Sequence, residues 1–305
     1  MLRKILTGGC HKSKSICMPV NDSFRVRQMN LSDLSAAMVL SYSEGWNQTE
    51  KDWRLFLDDP LNICLVIEKG ERIIGTLTAL NYGNRVAWLG MLLIDKNFRR
   101  QGAGRLIFDQ ILKKVENFDS IKLDATPAGY PVYLKSGFVD ERIIYRMTNT
   151  SYNNLSNKET GSEIGHITSE TFSDVVKYDE NIFGVNRTYL LKTLMLNYPE
   201  KAFALRRNNE LRGYCLGREG VRFNYIGPVF AQSPDDARFL IMEALKSLNN
   251  KPVALDILED KKEITEWLQS IGFAIQRNFI RMFLKSNKYC GVAKNQFLIC
   301  GPEFG

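Results

Sequence analysis

The stretch Phe98–Gly104, FRRQGAG, lies between the apolar run VAWLGMLLI (86–94) and the segment RLIFDQILKKV (105–115). The apolar run predicts a strand buried in a sheet, and the segment after it has the apolar spacing of a helix. A glycine-containing turn at a helix start leaves backbone N–H groups unpaired at the positive end of the helix dipole. The stretch therefore predicts a phosphate-binding site, with a tight strand-to-helix connection carrying exposed arginines as the alternative.

The composition is that of an ordinary globular protein, with 305 residues, 44% hydrophobic, 25% charged and a formal net charge of +7. No apolar run reaches the roughly 20 residues that a membrane-spanning helix needs, so no membrane association is expected. The basic residues are spread along the chain, which argues against a nucleic-acid partner. Six scattered cysteines without CxxC spacing favour a cytoplasmic protein with reduced thiols and no metal site. Residues 1–23 lack the apolar core of a secretory signal and are expected to form an N-terminal extension.

The chain contains an internal repeat. Gly137-Phe138 recurs as Gly272-Phe273 and Arg146-Met147 as Arg281-Met282, each 135 positions later (272 − 137 and 281 − 146). IKLDA (121–125) also has a counterpart in VALDI (253–257). Several matches in one order predict two copies of a domain of about 135 residues. The predicted boundaries are 24–147 for the first copy, 148–163 for a polar linker and 164–305 for the second copy.

Each copy is predicted to be α+β, a mixed central sheet flanked by helices. In the first copy the pattern indicates a strand, two helices, a hairpin turning at Lys69-Gly70, the buried strand 86–94, a helix and the strand 121–125. Thr126 is then predicted to cap a short helix with Pro127 at its first position, and the helix is expected to end at Gly137.

Two motifs resemble the GNAT N-acetyltransferase superfamily. RRQGAG (99–104) fits its R/Q-x-x-G-x-G/A signature, and LLIDKNFRRQGAGRLIF (92–108) followed by PVYLKSGF (131–138) is similar to its two main motifs in order and spacing. More narrowly, GWNQTEKDW (45–53), LDATPAG (123–129) and GPEFG (301–305) resemble tandem acetyltransferases of the bacterial YitH type. The resemblance implies two tandem GNAT-like domains and acetyl-coenzyme A as the bound co-substrate. The coenzyme-binding residues that it implies are Leu92, Leu93, Ile94, Arg99, Arg100, Gln101, Gly102, Ala103, Gly104 and Arg105.

The resemblance also implies two catalytic residues. Tyr133 lies where the family places the tyrosine that protonates the departing thiolate, and a phenol of pKa about 10 can do this. The alternative is a core tyrosine with a satisfied hydroxyl. Many relatives carry a glutamate base on the fourth strand, but the strand 85–94 here contains no acid. Asp124 is therefore the candidate for binding or deprotonating the amine, with capping of the following turn as the alternative.

The second copy differs where the first has its glycines and arginines. YIGPVFAQSPDDARF (225–239) offers two aspartates at the equivalent helix start, and these would repel a pyrophosphate. We therefore expect one coenzyme site, in the first copy, and a second copy that shapes the acceptor pocket. A purely structural role for the aromatic residues near that pocket is the alternative. The predicted acceptor-binding residues are Trp46, Asn47, Asn224, Tyr225 and Asp256.

These features predict transfer of acetyl from acetyl-coenzyme A to a primary amine by direct attack, with a small molecule as acceptor. A protein lysine or N-terminus is the alternative acceptor. The absence of an acid on the strand 85–94 also leaves open a non-catalytic acyl-coenzyme A sensor or binding module.

Overall fold

A computed structural model of the chain describes residues 23–153 and 163–305. Residues 1–22 of the predicted N-terminal extension and residues 154–162 of the predicted linker lie outside the described residues. The strands are β1 (Phe24–Gln28), β2 (Ile63–Lys69), β3 (Arg72–Tyr82), β4 (Val86–Ile94), β5 (Ser120–Ala125), β6 (Val139–Asn149), β7 (Ile164–His166), β8 (Phe203–Arg207), β9 (Glu210–Arg218), β10 (Asn224–Ala231), β11 (Val253–Leu258), β12 (Ala274–Lys285) and β13 (Gln296–Leu298). The α-helices are α1 (Leu34–Ser43), α2 (Glu50–Leu57), α3 (Ala103–Lys114), α4 (Tyr130–Lys135), α5 (Phe172–Phe183), α6 (Thr188–Asn197), α7 (Pro234–Lys246) and α8 (Lys262–Ser270).

Local sequence signals place most elements of the first copy. Thr49 and Asp52 form a capping box at the start of α2, in which each side chain accepts from the other residue's backbone N–H. The predicted hairpin turns at Gly70, whose φ of 61° suits glycine, and β4 covers the predicted strand 86–94. One prediction was wrong: α4 begins only at Tyr130, after Gly129. Thr126 instead closes a turn, since its Oγ1 accepts from the Gly129 N–H at 3.2 Å.

All described strands belong to one 13-stranded sheet, in the order β1-β2-β3-β4-β5-β12-β6-β11-β13-β10-β9-β8-β7. The predicted α+β class with flanking helices is confirmed. Repeat-related strands β6 and β12 lie side by side and antiparallel, with Ile144 opposite Phe279. β12 from the second copy pairs with β5 of the first, and β6 from the first pairs with β11 of the second. The two copies therefore exchange strands at the centre of the sheet.

The two faces of the sheet carry different cores. On one face α3 packs its stripe Ala103, Ile107, Phe108 and Ile111 against the first copy's strands. On the other face a single core joins α1 and α2 of the first copy to α5 and α6 of the second. The second copy has a further core under α7 and α8. The shared core fixes the first copy's loop between α1 and α2 relative to the second copy.

Candidate active site

A cavity opens where β4 and β5 separate. The two parallel strands pair only from Val86–Trp88 to Ser120–Lys122, and beyond that point they diverge. Next to this gap β4 carries an irregularity at Met91, whose φ is 56°, where the β3–β4 register shifts. The hydroxyls of Thr76 and Thr78 donate to the carbonyls of Met91 and Gly90 at 2.8 and 3.0 Å, which holds the irregularity in place. The cavity has a volume of about 1020 Å³ and is lined by residues of both copies.

The start of α3 forms one end of this cavity. Gly102 is the residue before the helix, with φ of 89°, and no side chain caps the helix start. The first N–H groups of α3 are consequently available to an anion. An added Cβ at Gly102 would meet nothing within 4 Å, so the glycine leaves open space at this point.

The three arginines around the start of α3 differ in their contacts. Arg99 pairs with Glu44 and donates to the Ile94 carbonyl at 2.9 Å, and Arg105 donates to Asp109 at 2.8 Å. Arg100 forms no ion pair with any described residue, and it lines the cavity together with Arg99 and Arg105. Gln101 turns its amide to the Asn97 carbonyl at 2.9 Å. Of the predicted coenzyme residues of this turn, Arg99, Arg100, Gly104 and Arg105 line the cavity, whereas Gln101, Gly102 and Ala103 do not. Arg100 is the cation of this turn without an ion pair to a described residue.

The equivalent helix start in the second copy is already occupied by its own side chains. Ser233 caps α7 by accepting from the Asp236 N–H at 3.2 Å, and Pro234 supplies no N–H. The buried carboxylate of Asp236 pairs with Arg207 and Arg212. A phosphate at the start of α7 would therefore meet a side-chain cap and a buried carboxylate instead of an uncapped helix start.

Tyr133 reaches the cavity from α4. Its ring packs against Phe108 and Phe138, with centroid distances of 5.4 and 6.0 Å. Burial raises the pKa of the Tyr133 phenol to about 12. The phenol is therefore protonated at neutral pH and can donate a proton.

The two predicted carboxylates form a reciprocal pair of buried ion pairs between the copies. Asp124 accepts from Arg281 at 2.8 and 2.9 Å, and Asp256 accepts from Arg146 at 2.8 and 2.7 Å. Both carboxylate side chains are fully buried. Burial raises the pKa of Asp124, and the guanidinium of Arg281 opposes this. Each carboxylate is thus paired with an arginine of the other copy, and Asp124, unlike Asp256, also lines the cavity.

The remaining predicted acceptor residues divide into two groups. Trp46 lines the cavity, and Asn47 does so while its amide binds the backbone of Arg222 and Phe223. Tyr225 is buried and donates to Asp256 and the Ile299 carbonyl, and Asn224 turns to the Pro252 carbonyl. Asn224, Tyr225 and Asp256 do not line the cavity, so their predicted contact with an acceptor is corrected to a structural role.

The segment Gly301–Gly305, which we call the closing segment, brings a carboxylate that the sequence did not reveal. It folds back against β3 and β4: Trp88 Nε1 donates to the Pro302 carbonyl at 3.0 Å, and the Tyr82 hydroxyl donates to the Phe304 carbonyl at 2.7 Å. An added Cβ at Gly90 would lie 3.1 Å from the Glu303 backbone. Glu303 lines the cavity beside the strand on which no acid was found. Glu303 was missed in the sequence analysis because the closing segment is remote from β4 along the chain.

Glu303 belongs to a buried cluster in which one arginine serves two acids. Arg218 donates to Glu303 Oε1 at 2.7 Å and to Asp52 at 3.2 Å, and Gln48 donates to the same Oε1 at 2.8 Å. Among the described residues Glu303 Oε2 has no hydrogen-bond partner. Burial raises the pKa of Asp52, against the effect of Arg218. With both acids ionised, the cluster carries one excess negative charge, which a cation in the cavity would neutralise.

Two family models match the chain, one in each copy. The model described as Acetyltransferase (GNAT) family matches residues 28–138, and the model described as Acetyltransferase (GNAT) domain matches residues 175–298. The chain belongs to the GNAT family of acetyltransferases. The predicted tandem arrangement of two GNAT domains is confirmed by these matches.

Two curated relatives and one solved structure are similar to the chain over much of its length. It is 26% identical over 189 residues to the uncharacterized N-acetyltransferase YitH of Bacillus subtilis, covering 62% of this chain and 66% of that protein. It is 25% identical over 198 residues to the holothin acyltransferase of a Pseudoalteromonas species, covering 62% and 65%. Both matches thus span just under two thirds of the relative. The structure of a candidate acetyltransferase from Pyrococcus horikoshii has the same fold over 97% of this chain and 99% of its own, with a TM-score of 0.78 at 22% identity.

The described part of the chain contains no helix with both the length and the apolar character that crossing a bilayer requires.

Proposed function

We propose that this GNAT protein transfers acetyl from acetyl-coenzyme A to a primary amine of a small molecule by direct attack. The observation that carries the proposal is the combination of groups in one cavity. An uncapped helix start with Arg100 offers a pyrophosphate site, Tyr133 offers a protonated phenol, and Glu303 offers an unpaired carboxylate oxygen.

A small acceptor is favoured by the way both copies surround the cavity. Asn47 of the first copy binds the backbone of Arg222 and Phe223 in the second copy, so that the loop before β10 stays beside Trp46. The volume of about 1020 Å³ lies at the upper end of the range for small-molecule sites. This is room for a pantetheine arm and a small acceptor together.

The cavity residues account for the proton movements that the reaction requires. An amine bound as its cation must lose a proton before its nitrogen attacks the thioester carbonyl, and Glu303 Oε2 is the carboxylate oxygen placed to accept it. As the new C–N bond forms and the C–S bond breaks, the departing thiolate takes a proton from the Tyr133 hydroxyl. The nitrogen loses its second proton once the C–N bond has formed, and that proton returns through solvent to Tyr133. The proton held by Glu303 passes to bulk solvent, and the products are an amide, free coenzyme A and one proton.

The test measures release of free coenzyme A from acetyl-coenzyme A with a panel of primary amines, and identifies the product by mass spectrometry. Glu303→Gln preserves an oxygen for Arg218 and Gln48 but removes the base. We expect kcat/KM for the best amine to fall roughly 10²-fold or more, the usual contribution of a general base. Binding of coenzyme A, measured by calorimetry, is expected to stay unchanged.

Glu219→Gln is the matched control, because Glu219 is exposed and directly follows Arg218. It should leave kcat/KM unchanged. Acetylation of lysine-containing peptides in preference to every small amine would refute the small-molecule acceptor. Tight coenzyme A binding without turnover on any amine or peptide would instead indicate a binding module.

A further inference from the structure

One face of the central strands β6 and β12 carries four arginines, Arg142, Arg146, Arg277 and Arg281, and they are not equally paired. Arg146 and Arg281 each form two hydrogen bonds to a buried aspartate, as described above. Arg277 forms no ion pair with any described residue, and its Nε is buried without a hydrogen-bond partner. Its contact is the ring of Phe279, 5.0 Å from the guanidinium carbon. A buried donor without a partner needs an explanation in a native structure.

The position of Arg277 ties it to the cavity. Residues 277, 279 and 281 alternate along β12 and so share one face of the sheet, the face on which Arg281 lies over the Trp88 ring. Arg277, Phe279 and Gln276 all line the cavity that also holds Glu303. Burial and the neighbouring Arg146 lower the pKa of the Arg277 guanidinium, yet an arginine stays charged in a protein. The cavity thus contains a cation that forms no ion pair with a described residue, although the carboxylates of Asp256 and Glu303 favour its charge from a longer distance.

The internal repeat shows which ion-pair partner Arg277 lacks. At the offset of 135, Arg277 corresponds to Arg142 and Gln276 to Glu141. In the first copy Glu141 binds both Arg142, at 2.9 Å, and Lys122, at 2.7 Å. That cluster is closed and buried.

The second copy has the arginine of this cluster but neither the acid that neutralised it nor the lysine that shared that acid. Gln276 replaces the acid Glu141, and Ala254 stands where the first copy has Lys122. Both replacements line the cavity, as Arg277 does. Neither replacement carries a charge, so Arg277 is the charged group that remains of the cluster. A planar guanidinium in such a place suits a carboxylate or phosphate, which it can bind through two parallel hydrogen bonds.

We infer that the acceptor carries an oxyanion in addition to its amine, and that Arg277 binds this oxyanion. The inference rests on the proposed function for the amine end of the acceptor, which Glu303 receives. The expected acceptors are amino acids or amino phosphates rather than simple alkylamines, because one cavity presents the Glu303 carboxylate for the ammonium and the Arg277 guanidinium for the oxyanion.

The experiment compares matched acceptors that differ only in the oxyanion: amino acids, the corresponding amino acid amides, and aminoalkyl phosphates beside the corresponding amino alcohols. Coenzyme A release is measured for the wild-type chain, Arg277→Gln and Arg277→Lys. We expect the wild type to favour the anionic member of at least one pair by about 10- to 100-fold in kcat/KM, the effect of one charge-assisted contact. The pair that shows the preference distinguishes carboxylate from phosphate.

Arg277→Gln should abolish this preference through the acceptor's KM, with the KM for acetyl-coenzyme A unchanged, and Arg277→Lys should restore part of it. Arg25→Gln, which removes an exposed arginine of β1 outside the cavity, is the matched control. Thermal unfolding of each variant verifies folding, and Arg277 has no ion pair whose loss would destabilise the fold. Equal rates for anionic and neutral members in the wild type would overturn the inference, as would an effect of Arg277→Gln confined to acetyl-coenzyme A.

A binding measurement separates this inference from the proposed function. Calorimetry with N-acetyl amino acids and N-acetyl aminoalkyl phosphates on the coenzyme A-loaded chain detects oxyanion recognition without turnover. Binding that is lost in Arg277→Gln supports the site even if no amine is acetylated. Binding that Arg277→Gln leaves intact, or no binding of either ligand class to the wild type, refutes it.

Discussion

Replacing Asp256 by asparagine distinguishes a structural carboxylate from one that binds the acceptor. Asp256 is fully buried and accepts two hydrogen bonds from Arg146, at 2.8 and 2.7 Å, and one from Tyr225, at 2.8 Å. An asparagine offers one oxygen and no charge, so Arg146 would be left as a buried cation without its counterion. Breaking such a pair from one side costs roughly 3–5 kcal/mol of unfolding free energy. This is a large part of the 5–15 kcal/mol that a typical domain has in total.

The assay is denaturant unfolding of the full chain, read as the change in midpoint at constant slope. Arg146→Met should be destabilising to a similar degree, and the double variant should be less destabilised than the sum of the single variants by about 2 kcal/mol. Asp235→Asn serves as the control, because Asp235 is exposed and its distance to Arg238 is 3.9 Å. An Asp256→Asn chain that is as stable as the wild type but has a tenfold higher acceptor KM would refute the structural role and restore the role predicted from the sequence.

Two further predictions concern groups that line the cavity. Tyr133→Phe should lower turnover roughly 10²- to 10⁴-fold without changing coenzyme A affinity. Because burial raises the pKa of Tyr133 to about 12, the wild-type kcat at saturating acceptor should show no decline up to about pH 10 from loss of this proton. A decline in kcat centred below pH 9 would assign the acid to another group. Gly90→Val should displace the Glu303 backbone, which lies 3.1 Å from the added Cβ, and so lower kcat/KM for the amine. Gly165→Val is the control and should have no effect, because an added Cβ there meets nothing within 4 Å. Equal activities of the two variants would show that the closing segment does not contribute to the reaction.

The sequence predicted the parts of the fold that local patterns determine. β4, the start of α3 and the hairpin at Gly70 follow from apolar spacing and glycine placement within a few residues, and the structure has them there. Thr126 failed as a helix cap because its hydroxyl closes a turn around Gly129 instead. A capping preference alone cannot distinguish these two hydrogen bonds.

The ion pairs of the two predicted carboxylates could not be predicted from the sequence, because the copies exchange strands. The repeat identified Asp124 with Asp256 and Arg146 with Arg281, but not that each aspartate meets the arginine of the other copy. Only the sheet order, with β12 between β5 and β6, brings these residues together. The same exchange means that a chain ending at Met147 would leave β5 without its neighbour β12, so the activity of the first copy alone is not a fair test of the second copy's role.

The central claim is that one coenzyme site exists per chain, at the start of α3. Calorimetric titration of the full chain with acetyl-coenzyme A tests it most directly. Arg100→Glu is the matched variant, because it reverses the charge of the one arginine at that turn that pairs with no described residue. We predict a stoichiometry of one and an affinity that falls at least about tenfold in Arg100→Glu, as expected for the loss of a charged contact. A stoichiometry of two, or an affinity that Arg100→Glu leaves unchanged, would contradict the claim.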